Sequence, residues 1–141
     1  VAPVLLATFS GEAVRPGSSV SLRCSASGNP LPQVTWFLDD VSIPDAIRFR
    51  VGDYVTSDGH VMSYVNVTDI HVEDGGEYTC SAENAVSSVR HTARIDVYGP
   101  PFVRPMPNVS VVAGQTTILK CPISGYPIET VIWMKGNLSH Y

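Results

Sequence analysis

The residues of this chain whose chemistry depends most on spacing are its three cysteines, Cys24, Cys80 and Cys121. Cysteine thiols bind zinc, carry out redox reactions or form disulfides. No C-x-x-C pair is present, which disfavours a zinc site and a redox motif. An odd count in a secreted chain indicates that one cysteine lacks its disulfide partner.

Other side chains that could do chemistry do not form a site. Asp39 and Asp40 are adjacent, and adjacent residues of a strand diverge, so we interpret them as a turn between two strands. The stretch EDGG, which begins at Glu73, lacks the spaced carboxylates of a calcium loop. His91 lies on the apolar side of a predicted strand, and no second histidine stands at metal-ligand spacing. We therefore expect no enzyme activity, no metal and no cofactor.

Three N-x-S/T sequons begin at Asn66, Asn108 and Asn137. The pattern also arises by chance, but three copies beside a disulfide pattern favour the secretory pathway and N-linked glycans. Asn66 stands between two apolar residues of a predicted strand, so its side chain should point outward. A glycan there would block the centre of one sheet face and leave protein contacts to the opposite sheet or an edge strand. The alternative is an unmodified surface asparagine.

The composition excludes several classes of function. The chain has 141 residues, of which 44% are hydrophobic and 16% are charged, and this is typical of globular proteins. The net charge is −4 and no lysine or arginine run occurs, so we expect no nucleic-acid partner. No apolar run reaches the length of about 18 residues that a membrane helix needs. The start, Val-Ala-Pro, leads us to expect a piece of a longer chain.

Short alternating runs predict the elements that position these residues. Val20, Leu22 and Cys24 alternate with polar residues, and Tyr78 and Cys80 share one face of the stretch EDGGEYTC. Helical periodicity is absent, so the predicted fold class is all-β.

An internal repeat aligns the two ends of the chain. The stretch VRPGSSVSLRCSASGNPLPQVTW, from Val14, aligns without gaps to VVAGQTTILKCPISGYPIETVIW, from Val111. The offset is 97 residues, as from Cys24 to Cys121. The chain therefore contains two copies of one unit, and the second stops at Tyr141, before any counterpart of Cys80.

The complete copy resembles the immunoglobulin framework. Trp36 stands twelve residues after Cys24, and Tyr78 stands two before Cys80. The resemblance implies a β-sandwich in which the two cysteines bridge the sheets, Trp36 packs on the bridge and the Tyr78 hydroxyl holds the preceding loop. A disulfide that closes the segment from Cys24 to Cys80 should stabilise the domain by roughly 4 kcal/mol.

The same framework implies an ion pair at the base of the sandwich. Asp74 is expected to bind Arg48, and Arg50 is the second choice. The stretches GNPLPQVTW and CSAENAVS resemble the intermediate, or I-set, type of immunoglobulin domain.

We expect one complete immunoglobulin domain, residues 1–98, and the first half of a second in tandem, residues 102–141. A proline-rich linker of residues 99–101 between them should be stiff. Trp133 is the expected core counterpart of Trp36, and the partner of Cys121 is expected outside this chain. Because the second copy would supply three strands without an opposing sheet, we expect it to be unstable alone.

Longer stretches resemble the Down syndrome cell adhesion molecule (Dscam) family, in the middle of its ectodomain. They include GDYVTSDGHVMSYVNVTDIHVEDGGEYTC, the junction VYGPPFVRPM and CPISGYPI in the second copy. The resemblance implies a neuronal or immune surface protein, secreted or single-pass and membrane-anchored, that binds copies of itself. The matching residues belong to the framework, so they do not identify the binding surface.

The leading functional hypothesis is therefore an extracellular homophilic adhesion module, in which weak pairs gain strength by multivalency. The alternatives are a heterophilic segment for a guidance or immune ligand, a structural spacer, and the ectodomain of a receptor enzyme. The sequence does not separate the first two, and the spacer predicts no self-association.

Overall fold

Two stacked β-sheets make up most of the computed structural model, which describes residues 1–106 and 108–134. The described residues form eleven strands, with a short 3-10 turn at Val72–Asp74. The strands, in chain order, are β1 (Val4–Ala7), β2 (Glu12–Val14), β3 (Val20–Ser27), β4 (Gln33–Leu38), β5 (Val41–Ser42), β6 (Phe49–Val55), β7 (Val61–Val67), β8 (Gly76–Glu83), β9 (Ser88–Val97), β10 (Gly99–Val103) and β11 (Ile123–Tyr126).

The first nine strands form a sandwich of two sheets. One sheet has the order β1-β3-β7-β6, and the other has the order β2-β9-β8-β4-β5. Neighbouring strands are antiparallel except β2, which runs parallel to β9. The start of the chain thus contributes one strand to each sheet. This is an immunoglobulin-like sandwich, so the predicted all-β fold class is confirmed.

The alternating residues of the facing strands form one core. Every second residue of β3, β4, β7 and β8 is buried, because alternate side chains of a strand point to the same side of the sheet. The largest fully buried side chains are those of Tyr78, Ile70, Ile95, Val65, Val67 and Val97.

The pair Asp39 and Asp40 forms a two-residue turn between β4 and β5. Both residues have a positive φ, 49° and 64°, as a type I′ hairpin turn requires. The structure therefore places these carboxylates in the turn that the sequence predicted.

The second copy is represented in the described residues by a two-stranded ribbon. β10 pairs antiparallel with β11, with Val103 opposite Ile123 and Gly99 opposite Tyr126. β10 begins at Gly99, so residues 99–101, which we expected to be a linker, belong to a strand. Pro100 and Pro101 fall where the register of the ribbon shifts, between Gly99 and Phe102, and prolines are tolerated at such irregularities.

The third strand that we expected in the second copy, around Val131 and Trp133, is not formed in the described residues. In the first copy the equivalent strand β4 is held between β5 and β8. Residues 108–134 include no counterpart of β8, so this stretch has no neighbour with which to pair.

Candidate interaction surfaces

The predicted disulfide joins the two sheets through the centre of the core. Cys24 on β3 and Cys80 on β8 are bonded, with their Cα atoms 6.6 Å apart, and both are fully buried. Trp36 lies beside Cys80 on the neighbouring strand β4. Cys121 is half-buried and has no disulfide partner within the described part of the chain. Cys24 and Cys80 therefore form a structural cross-link between the two sheets.

The Trp36 indole is fixed by a polar contact that the sequence analysis missed. Its Nε1 donates to the Ser63 hydroxyl at 2.8 Å, and that hydroxyl donates to the Gly52 carbonyl at 3.2 Å. Ser63 occupies an inward position on β7 between apolar neighbours, which is the one sequence signal that could have identified it. A buried indole N–H needs such a partner.

The hydroxyl of Tyr78 holds the 3-10 turn that precedes β8. It donates to the Asp74 carbonyl at 2.6 Å, as the immunoglobulin framework implied. Burial raises the pKa of Tyr78 well above its ordinary value of 10.0, and the negative charge of Asp74 adds to the rise. The phenol therefore stays protonated and keeps this hydrogen bond.

Asp74 receives a two-pronged ion pair from Arg48. The Arg48 Nε and Nη2 atoms donate to the two carboxylate oxygens at 2.8 and 2.7 Å. The hydrogen bond with Asp74 raises the pKa of Arg48 above its ordinary value. Arg50, the second choice from the sequence, lies opposite Asn66 and is exposed. The position along the chain decides between the two, because Arg50 is about 6.6 Å further along the strand.

The described residues show two of the three sequon asparagines. Asn66 lies on the outer face of β7, between β3 and β6, so a glycan there would stand on the four-stranded sheet. Asn108 is exposed in the second copy. Asn137 lies outside the described residues. No sequon of the described residues lies on the five-stranded sheet.

The outer face of the five-stranded sheet has mixed polarity around its exposed residues. Its central row places Thr35 of β4, Ser81 of β8 and Arg90 of β9 side by side. The Arg90 guanidinium lies 5.3 Å from the centre of the Phe37 ring. Glu83 lies two residues after Ser81 on the same face. A negative side chain, Glu83, therefore lies near the positive side chain of Arg90.

His91 points to the other side of this sheet and is satisfied there. Its Nε2 atom lies 2.8 Å from the Phe9 carbonyl, and its ring meets the Phe9 ring edge-on at 5.0 Å. No group of three or more His, Cys, Asp or Glu residues in the described ranges could hold a metal ion. Those ranges also include no helix long and apolar enough to cross a membrane.

Arg104, just after β10, anchors the second copy to the base of the first. Its guanidinium donates to the Gly75 carbonyl at 2.8 Å, to the Glu73 carbonyl and to the Asp39 carboxylate. Arg94 of the first copy in turn donates to the Ile123 carbonyl of the second copy at 2.8 Å. No local pattern links Arg104 to Asp39, which stands 65 residues earlier, so this contact could not be predicted from the sequence.

Comparison with known proteins agrees with this architecture. A family model described as an immunoglobulin domain matches residues 2–84. A crystal structure of the N-terminal eight immunoglobulin domains of Down Syndrome Cell Adhesion Molecule, isoform 1.30.30, superposes with a TM-score of 0.89. It is 44% identical and matches 96% of this chain and 17% of that one.

Two curated relatives match over nearly the whole of this chain. The cell adhesion molecule Dscam2 of Drosophila melanogaster is 50% identical over 96% of this chain, and the human cell adhesion molecule DSCAM is 41% identical over 96%. This chain spans only 6% and 7% of their lengths. The expected resemblance is confirmed: the chain belongs to the immunoglobulin domain family, and its relatives are the immunoglobulin domains of Dscam cell adhesion molecules.

Proposed function

We propose that this chain is an extracellular segment of a cell adhesion receptor and that it binds a second copy of itself. The names of its relatives describe cell adhesion. The Cys24–Cys80 disulfide and the sequons suit an oxidising, glycosylating compartment. The parent protein is then membrane-anchored or secreted, and N-linked glycans are part of it.

The observation that carries the proposal is the contrast between the two sheet faces. Asn66 lies on an inner strand of the four-stranded face, one residue before the end of β7, where a glycan would keep a protein partner away. The five-stranded face carries no sequon within the described residues. The part of this face around Ser81 and Arg90 is therefore the surface that we propose for the partner.

The charges on this face suit a two-fold contact. Arg90 and Glu83 are both exposed and lie on neighbouring strands of the same face. In a two-fold dimer each residue i of one copy that meets residue j of the other is matched by j meeting i. Arg90 of each copy can thus face Glu83 of the other copy, so one interface contains this charge pair twice.

Sedimentation equilibrium of the secreted, glycosylated protein tests the proposal by charge reversal. Either Arg90→Glu or Glu83→Arg alone places like charges opposite each other, so each should weaken the dimer roughly tenfold or more. An equimolar mixture of the two variants restores opposite charges at both positions, so it should form a heterodimer. This rescue distinguishes the contact from a general loss of folding.

A monomer at roughly tens of micromolar would contradict homophilic binding by this segment. The result would favour the structural spacer function. The Arg104 contacts also favour that function, because they fix the junction between the two copies. A heterophilic guidance or immune ligand would be the other outcome, and a ligand screen on the monomer would detect it.

A further inference from the structure

A shallow groove lies beside the Asn66 sequon on the outer face of the four-stranded sheet. It has a volume of about 200 Å³ and is lined by Arg23, Tyr54, Met62, Tyr64 and Asn66. These side chains come from the three adjacent strands β3, β7 and β6. The groove is therefore continuous with the position at which an N-glycan would begin.

A neighbouring hydroxyl group holds the side chain of Asn66. The Ser21 hydroxyl donates to its Oδ1 atom at 2.7 Å. This contact fixes the amide plane and leaves Nδ2, the atom to which an N-glycan is attached, without a hydrogen bond in the described part of the chain.

Tyr64 stands two residues before Asn66 on the same face of β7, about 6.6 Å away along the strand. Its ring crosses over Gly52 of β6, where any side chain larger than hydrogen would collide with it. Gly52 thus lets the ring lie low on the sheet, beside the sequon.

We propose that the first N-acetylglucosamine attached to Asn66 packs on the Tyr64 ring within this groove and stabilises the domain. One face of a pyranose ring presents C–H groups, which suit the apolar surface of an aromatic ring, while its hydroxyl groups remain in water. Arg23 lies directly opposite Tyr64 on β3, so its guanidinium can donate to the sugar oxygens. The first sugar is then ordered against this face of the sheet and does not move freely in solvent.

The chain contains its own control in Asn108. The residue two positions before Asn108 is Met106, which is exposed, so that sequon has no tyrosine at the corresponding position. A glycan on Asn108 should therefore leave the stability of the first copy unchanged.

The inference rests on glycosylation, which the proposed function includes, but not on the identity of the protein partner. Failure of homophilic binding appears in sedimentation. Failure of this inference appears in the melting temperature and the peptide mass, so the two are distinguishable.

The test is a two-by-two comparison of the secreted protein, trimmed enzymatically to one N-acetylglucosamine per site. Asn66→Gln should lower the melting temperature by about 4 °C, from the size of aromatic packing contributions. In a Tyr64→Val background the same change should lower it by less than about 1 °C. Valine removes the aromatic ring but, like tyrosine, favours the β-strand conformation. Asn108→Gln should leave the melting temperature unchanged.

A second measurement does not depend on the variants folding. Ring-current shifts should move the N-acetyl methyl proton signal of the Asn66-linked sugar upfield from that of the Asn108-linked sugar. Three results would overturn the proposal: an unmodified Asn66 in peptide mass spectra, equal melting losses in both backgrounds, or equal methyl shifts at the two sites.

Discussion

The two copies share the same sequence motif, but its residues are buried in the first copy and exposed in the second. Leu22 is 2% exposed and its counterpart Leu119 is 50% exposed, while Trp36 is 3% and Trp133 is 52% exposed. Val34 and Val131 differ in the same way, at 8% and 44%. An alternating pattern identifies which side chains share a face, but burial needs a second sheet to cover that face. The first copy has that sheet and the described part of the second does not.

The disulfide should show this difference most strongly. Replacing Cys24 and Cys80 together by alanine removes the cross-link between the sheets, so the free energy of unfolding should fall by about 4 kcal/mol. Urea denaturation followed by tryptophan fluorescence measures it. The counterpart change Cys121→Ala should alter the free energy of unfolding by less than about 0.5 kcal/mol. Equal losses of stability at the two sites would show that the two copies do not differ in this way.

The two tryptophans offer the next contrast. Trp36→Phe leaves a smaller ring in the core and removes the donor to Ser63, so the unfolding free energy should fall by about 2 kcal/mol. Trp133→Phe should change it by less than about 0.5 kcal/mol, because that indole is half exposed. Thermal unfolding of both variants decides the matter, and a large loss for Trp133→Phe would show that the second copy has a core of its own.

Tyr78→Phe should lower stability by about 1 kcal/mol through the lost hydrogen bond to the Asp74 carbonyl. Tyr78 also makes the first copy sensitive to alkali. Its pKa is raised in the folded state, so its stabilising effect is complete below pH 10.0, the ordinary value, and is lost as pH rises above it.

Unfolding measured from about pH 9 to 12 should therefore show a steeper decline for the unaltered protein than for Tyr78→Phe. Parallel declines would mean that this phenol ionises equally easily in the folded and unfolded chains.

The smallest effect concerns the junction between the copies. Arg104→Ala should change the global unfolding free energy by less than about 0.5 kcal/mol. Hydrogen exchange of β10 and β11 should nevertheless rise, because the anchor to Gly75 and Asp39 is gone. Lys120→Ala is the matched control, since Lys120 reaches Asp40 only at 3.8 Å and is exposed. Unchanged exchange in Arg104→Ala would show that β-pairing alone holds the ribbon.

The sequence by itself determined the framework of the first copy. Cysteine spacing, strand alternation and the tyrosine before Cys80 are local patterns, and each restricts which side chains share a face. The turn at Asp39-Asp40 and the outward position of Asn66 also follow from local patterns. These features could be predicted because a strand has the same period wherever it lies.

Only the tertiary structure decided the distant contacts that no framework motif implies. It placed Ser63 beneath the Trp36 indole and brought Arg104 to Asp39, whereas Arg48 was already the first choice for Asp74. Each of these contacts joins residues 26 or more positions apart, and strand periodicity carries no information about such distances. It also separated the environments of Trp36 and Trp133, because a repeated motif is buried only where another sheet covers it.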